Sequence, residues 1–291
     1  MLQFKKDGHN LFKKRLLLAF SFFCLVNTSV FAQELFSFTE PASNMSAKSM
    51  GLRMNVNYMK GFQRDKNSVY ISPEMMVGIS KTIMIHGEAF FSNQQKPFQF
   101  KGASFYAKYR LLSIDDLHSH FRMAAFVRVA SNNSPMHSTA ILLNGSTAGV
   151  ESGLVATKLL NKVAMSSSFS VVHSFSLPSI NSPDNLHNHL FLLPNQKNAV
   201  NYTLSIGKLM LPKHYVNYNQ VNVNGMLEFL GQTNLGLKES YLDIAPSIQF
   251  ILKSKMRIDL GYSTPLVSDL TRVNSTGFLL RFEYNFFNIF N

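Results

Sequence analysis

Nine histidines and sixteen acidic residues carry most of the chemistry this sequence could perform. Imidazole pairs beside a carboxylate are ligands for transition metals. His118 and His120 follow Asp115 and Asp116, and His187 and His189 follow Asp184 in the longest polar stretch. Neither group completes a ligand set, and His187 with His189 is the stronger metal candidate. Hydrolysis would need a nucleophile within reach of a base. His173 and Ser174 are adjacent, so on a strand they point to opposite faces. His137 and Ser138 have no evident acid to orient them. Phosphate-cradling glycine loops and the dinucleotide fingerprint are absent. The chain is therefore read as no enzyme, with no cofactor.

Charge facing charge is the other chemistry. Around a turn centred on Lys81, Glu74 falls opposite Glu88, with His86 two residues along the same face and Arg53 nearly level with Glu74. Facing carboxylates repel unless a cation intervenes. Arg53 supplies one, making a structural cluster; the alternative is a proton- or cation-binding point at Glu74, Glu88 and His86. Around a loop near Leu270, Asp259 falls opposite Arg281 and Arg257 opposite Glu283, as a cross-strand ladder would place them. Lys108, Arg110, Arg122 and Arg128 form a basic wall with no acid on the same faces. Opposite it, Asp243, Asp259 and Glu283 outnumber Arg257 and Arg281. Such walls would set a transverse field across a pore or bridge it. The balance leans to bridging, with side chains rather than loops closing the lumen.

The elements that must hold these residues are strands. Met50, Leu52, Met54, Val56 and Tyr58 alternate with Gly51, Arg53, Asn55 and Asn57. Such period-two alternation marks a strand with two unlike faces. It recurs in twelve stretches, at about 49–59, 69–79, 83–92, 99–111, 120–131, 148–160, 163–175, 199–210, 219–231, 240–252, 256–264 and 275–287. Most are longer than the ~5–6 residues usual in globular sheets and match the ~9–11 of a tilted membrane strand. The shortest connections, near Lys81, Lys162 and Ser254, are all even-numbered, whereas the longest, 132–147 and 176–198, are odd. Outer-membrane barrels sort their loops this way, with short periplasmic turns and long extracellular loops. Twelve strands also enclose more space than apolar side chains alone would fill. Lys158 and Lys208, on otherwise uncharged faces, fall at the periplasmic ends, where their stems can snorkel. Pro73 and Pro246 each remove a ladder donor inside a strand, which predicts bulges or breaks.

Composition fits. Charged residues are 15% of the 291, and the net charge is +12. Mean hydropathy is +0.01, too polar for a bundle of membrane helices. Lys5, Lys6, Lys13, Lys14 and Arg15 precede an 11-residue apolar run, Leu16–Val26, and Val30 and Ala32 then stand three and one residues before Gln33. That order is a secretory signal over 1–32. Its removal takes Cys24, the single cysteine, and leaves 23 basic against 15 acidic residues, a net +8. The basic residues are spread over turns and one wall, so no nucleic-acid partner is expected.

The last strand carries Ser275, Gly277, Leu280 and Phe282 in polar-x-Gly-x-x-apolar-x-aromatic order, before the chain runs on to Asn291. This resembles the C-terminal recognition strand of outer-membrane proteins. Phe38–Met45, F-T-E-P-A-S-N-M, resembles the mature start of uncharacterised Gram-negative outer-membrane β-barrels of the hypothetical-protein or transporter type. The resemblance implies fold and location over 33–291, and no substrate. Trp is absent, so Tyr58, Tyr109, Tyr262 and Tyr284 would form the interfacial girdle, with Phe beside them.

The expectation is an all-β chain: signal 1–32, a periplasmic N-terminal segment 33–48, and a single antiparallel transmembrane barrel over 49–291. It would be a monomer in the cell outer membrane, in contact with the lipid bilayer and lipopolysaccharide and inserted by the barrel-assembly machinery. Its leading function is passive passage of small polar solutes or ions. The alternatives are a closed structural, adhesive or ligand-capturing barrel acting through its extracellular loops, and transition-metal transport.

Overall fold

The computed structural model describes residues 36–60, 67–94, 97–116, 119–133, 138–145, 147–175, 197–212, 219–270, 272 and 275–290. The signal segment, His187, His189 and the loop 176–196 lie outside these residues. The strands are β1 (Ser49–Lys60), β2 (Ser68–Gly78), β3 (Ile83–Ser92), β4 (Gln99–Asp115), β5 (Ser119–Asn132) and β6 (Gly149–Leu160). They continue as β7 (Val163–Ser174), β8 (Asn198–Leu211), β9 (Asn222–Asn234), β10 (Ser240–Leu252), β11 (Met256–Ser268) and β12 (Thr276–Phe286). Each pairs antiparallel with its sequence neighbours, and β1 pairs with β12, closing the barrel. Closure gives every spanning strand two partners, so no sheet edge is left open.

Alternation sets the faces. Along β12, Phe278, Leu280 and Phe282 are 60%, 47% and 44% exposed, whereas Leu279, Arg281 and Glu283 are 5%, 8% and 3% exposed. Apolar side chains point outward and polar ones inward, the reverse of a soluble barrel with an apolar interior. Lys158 and Lys208 are the outward charges near the two-residue turn between β6 and β7.

Two strands outrun the alternation that marks them. β4 continues to Asp115 past a bulge between Arg110 and Leu112, which puts Leu111 and Leu112 side by side and breaks the period. β11 continues to Ser268 past Pro265 and a register shift opposite Leu242 and Asp243. The prolines expected to bulge or break their strands do neither. Pro73 pairs with Met54, and the β2–β3 ladder skips it and resumes in the same register, from Ile71–Phe91 to Glu74–Glu88. Pro246 pairs with Leu227 and is skipped on the β11 side alone. Each proline thus gives up its donor toward one neighbour only.

The segment before β1 adds a feature that alternation does not carry. Residues 36–46, part of the segment expected as the periplasmic N-terminal one, run back through the lumen. Their partners are lumen-facing side chains of the strand walls, whose polar groups need satisfying away from bulk water. A close approach lets the chain turn inward: a Cβ on Gly78 would lie 2.1 Å from the Ser46 carbonyl oxygen.

Candidate functional site: a strapped lumen and its chamber

The inward-running segment forms a strap across the barrel. Its first anchor is Glu228 on β9, which is fully buried. This carboxylate accepts the backbone N–H groups of Ser37, Phe38 and Thr39, each at 2.9 Å, and the Thr39 hydroxyl at 2.7 Å. Crossing to the far wall, Glu40 Oε1 meets Arg53 Nη1 at 2.7 Å. Lys108 Nζ donates to the carbonyls of Pro41 and Ser43 at 2.7 and 2.8 Å. The Ala42 N–H donates to Thr157 Oγ1 at 2.9 Å, and Arg122 Nη1 to Ser43 Oγ at 3.0 Å. Phe36 packs on Ala164 and Met226, and Ala42 on Ala124 and Val155. Hydrogen bonds to charged groups contribute roughly 1.5–3 kcal/mol each, so the strap is held chiefly through Glu228, Arg53 and Lys108. Burial disfavours ionising Glu40, but the Arg53 guanidinium, with Lys108 and Arg281 beyond it, holds its carboxyl well below the usual carboxylate range.

Beneath that contact lies a charge network. Arg53 is level with Glu74 on one side and Glu283 on the other, and bonds both, at 3.0 and 2.8 Å. Glu74 pairs in register with Glu88 and accepts His86 Nδ1 at 2.6 Å. Arg257 pairs with Glu283 and Asp259 with Arg281, at 3.0 and 3.7 Å. Arg257 also approaches Asp259 at 3.5 Å, and Arg281 Nε donates to Asn55 at 2.7 Å. Glu40, Glu74 and His86 bring potential metal-ligand atoms within 4.8 Å of one another. The Arg53 guanidinium already bonds both of those carboxylates, so a metal ion would have to displace it.

On the side of the odd-numbered connections, the loop between β5 and β6 folds into the barrel mouth. Gln232 and Ile141 exchange two hydrogen bonds of 2.8 Å, side chain to backbone. Ile141 and Leu143 pack against Ala130, Val172 and Ala199, and Ala140 against Tyr241 and Leu270. Beside them Arg272 makes a two-pronged ion pair with Asp243, at 2.6 and 2.7 Å, and lies 3.9 Å from the Tyr241 ring centroid. Between strap and loop is a chamber of about 320 Å³, with Phe38 and Glu40 from the strap and Leu142 and Asn144 from the loop among its walls.

The four basic residues do not form a continuous wall. Lys108 and Arg122 grip the strap. Arg110 donates to the Lys81 carbonyl in the β2–β3 turn. Arg128 faces the chamber, 5.2 Å from the Tyr106 ring centroid. Nor is the set without an acid: β4 runs on to Asp115, which Arg122 meets at 3.0 Å and His120 at 2.9 Å. The lumen is therefore crossed by backbone as well as side chains. Sequence reasoning missed Glu40, Gln232, Glu228 and Arg272. Glu228 carries a signal in retrospect, as an isolated acid on an inward position of β9 with no cation opposite it in register.

No protein-family model matches the sequence, and no curated protein does. Among solved structures the chain is similar in outline to the KdgM porin, at 10% identity and a TM-score of 0.48, covering 81% of this chain and 99% of that one. The NanC porin gives 10% and 0.46, over 81% and 98%. OprD of Pseudomonas aeruginosa gives 10% and 0.39, over 80% and 66%.

Proposed function

We propose that this chain is an outer-membrane barrel that passes small polar solutes under the control of its own N-terminal strap. The outward apolar band would face lipid and lipopolysaccharide, the short turns the periplasm and the inward-folding loop the exterior. Insertion would fall to the barrel-assembly machinery. The observation that carries the reading is the strap itself, anchored on opposite walls by Glu228 and by Arg53 with Lys108. The strap narrows the lumen, and the chamber above it leaves room for a small solute. Transport is the reading that uses both.

Planar-bilayer recording tests it. The chain from Gln33 should be mostly silent, and a double variant, Glu228→Gln with Lys108→Met, should show discrete channel steps. Variants that retain heat-modifiable barrel mobility yet never conduct would exclude passage. They would leave a closed barrel that captures solute from outside, a reading the inward-folded loop also favours.

A further inference from the structure

Most lumen charges are matched at short range, but two that face the chamber are not. Arg128 has no hydrogen bond or ion pair among the described residues, and its Nε is buried without a partner. Glu151, opposite it in register, is bonded to Ser170 at 2.6 Å and Asn201 at 2.8 Å and acts on Arg128 only through space. Glu88 likewise has no ion-pair partner among the described residues; it accepts a long bond of 3.4 Å from Ser104 and is approached by the Ser72 hydroxyl. Glu74, its neighbour in register, is taken by Arg53 and His86.

These two groups stand on one stretch of wall. Glu88 is level with Ser104 on β4 and Ala130 on β5, and Arg128 is level with Tyr106 and His86. They are thus two strands and two residues apart, which puts their Cα atoms ~12 Å from each other at ordinary strand spacings. Guanidinium and carboxylate attract one another across the chamber wall but do not close into an ion pair. Charged groups facing a partly dehydrated chamber without partners are costly, and a ligand carrying both complementary charges would satisfy them together. Around them Asn57, Ser72, Gln94 and Asn144 add neutral donors and acceptors for a polar body.

We propose that the chamber is a binding site for small zwitterions, free amino acids or short peptides, with the ligand carboxylate on Arg128 and its ammonium on Glu88. A lone anion would leave Glu88 unmatched, and a lone cation would leave Arg128 unmatched. The proposal deepens the transport reading by naming its solute class, but the site can be tested without any passage.

The test is isothermal titration of the folded chain from Gln33 in detergent. The probes are L-serine and glycylglycine, with acetate and methylammonium as single-charge controls. Saturable binding of at least one zwitterion is expected, with both controls about tenfold weaker or more. Arg128→Gln and Glu88→Gln should each weaken the zwitterion by about tenfold, with unchanged thermal unfolding and heat-modifiable mobility. Absence of zwitterion binding by the folded protein, acetate binding as tight as that of the zwitterions, or undiminished affinity in both variants would overturn the proposal. Binding without conductance in the strap-release variant would sink passage and leave the site standing. Conductance without binding would do the reverse.

Discussion

Replacing Glu228 with Gln tests the strap at its most heavily bonded point. The carboxylate takes the Ser37 and Phe38 amides on Oε1 and the Thr39 amide and hydroxyl on Oε2. An amide side chain keeps one acceptor oxygen. If it keeps the first pair, those bonds become neutral and roughly half as strong. The Thr39 N–H then faces an NH₂ group and becomes a buried, unsatisfied donor, at a cost of ~1–3 kcal/mol. The hydroxyls of Thr39 and Ser205 can rotate to accept from the new NH₂, so they add little. The sum is about 3 kcal/mol against docking, or ~10²-fold in the undocked population at 1.4 kcal/mol per tenfold.

Ser37 offers a reporter for that population. It is fully buried and its hydroxyl has no hydrogen-bond partner, so Ser37→Cys is close to isosteric and removes no bond. A chain from Gln33 carries no other cysteine. A membrane-impermeant maleimide should therefore label Cys at 37 only when the strap leaves its site, at a rate that follows the open fraction. Glu228→Gln should raise that rate ~10²-fold, with the barrel itself still folded. A rise of no more than two- or threefold would refute the reasoning, because the anchor would then hold nothing.

Three other outcomes follow from the same geometry. Arg53→Met leaves Glu40, Glu74 and Glu283 without their shared cation, a loss of ~3–5 kcal/mol for a broken buried cluster, read as a lower unfolding temperature that Glu74→Gln partly restores. Gly261→Val places a Cβ 2.6 Å from the Phe38 ring and should speed labelling at position 37, with Phe38→Ala in the same chain reversing the effect. Glu40 has a depressed folded pKa, so its contribution to docking is complete above the ordinary carboxylate value of ~4.3 and is lost as pH falls through the lower folded value. Open probability in bilayers should hence be insensitive to this group from neutral pH down to about 5 and rise in stronger acid, and Glu40→Gln should raise it at neutral pH.

The strands were legible because period-two alternation and the exclusion of charge from one face act locally, on residues next to one another. Registers followed wherever a turn was short. Glu74 with Glu88 across the Lys81 turn is such a case, and once strand ends are known, so are Arg257 with Glu283 and Asp259 with Arg281. Alternation failed where a bulge set two apolar residues side by side, as at Leu111 and Leu112. The strap was illegible for a different reason. Ser37–Ser46 has no period and a single charge, and its first anchor lies 191 residues away in sequence. Sign and face could be read for Lys108 and Arg122, but not their acceptors, which are a carbonyl pair and a hydroxyl on the strap. The β5–β6 loop did carry a hint in its apolar run Ala140–Leu143, which a fully solvated loop has no reason to hold.

Strap release would redistribute charge unevenly, and that asymmetry bears on what an open lumen could select. Arg53 would lose Glu40 but keep Glu74 and Glu283, so the network on β1, β2 and β12 would stay closed on itself. Lys108 would lose both strap carbonyls, releasing its positive charge on β4 from the strap. Glu228 would lose three amides and a hydroxyl and keep the Ser205 hydroxyl at 3.3 Å, an acid without an ion pair among the described residues on β9, on the other side of the ring. The strap therefore masks one charge of each sign on opposing walls. An ion of either sign would meet one attractive and one repulsive wall in the opened lumen. A solute carrying both charges could be attracted to both walls at once, which is the same preference that Arg128 and Glu88 express in the chamber above.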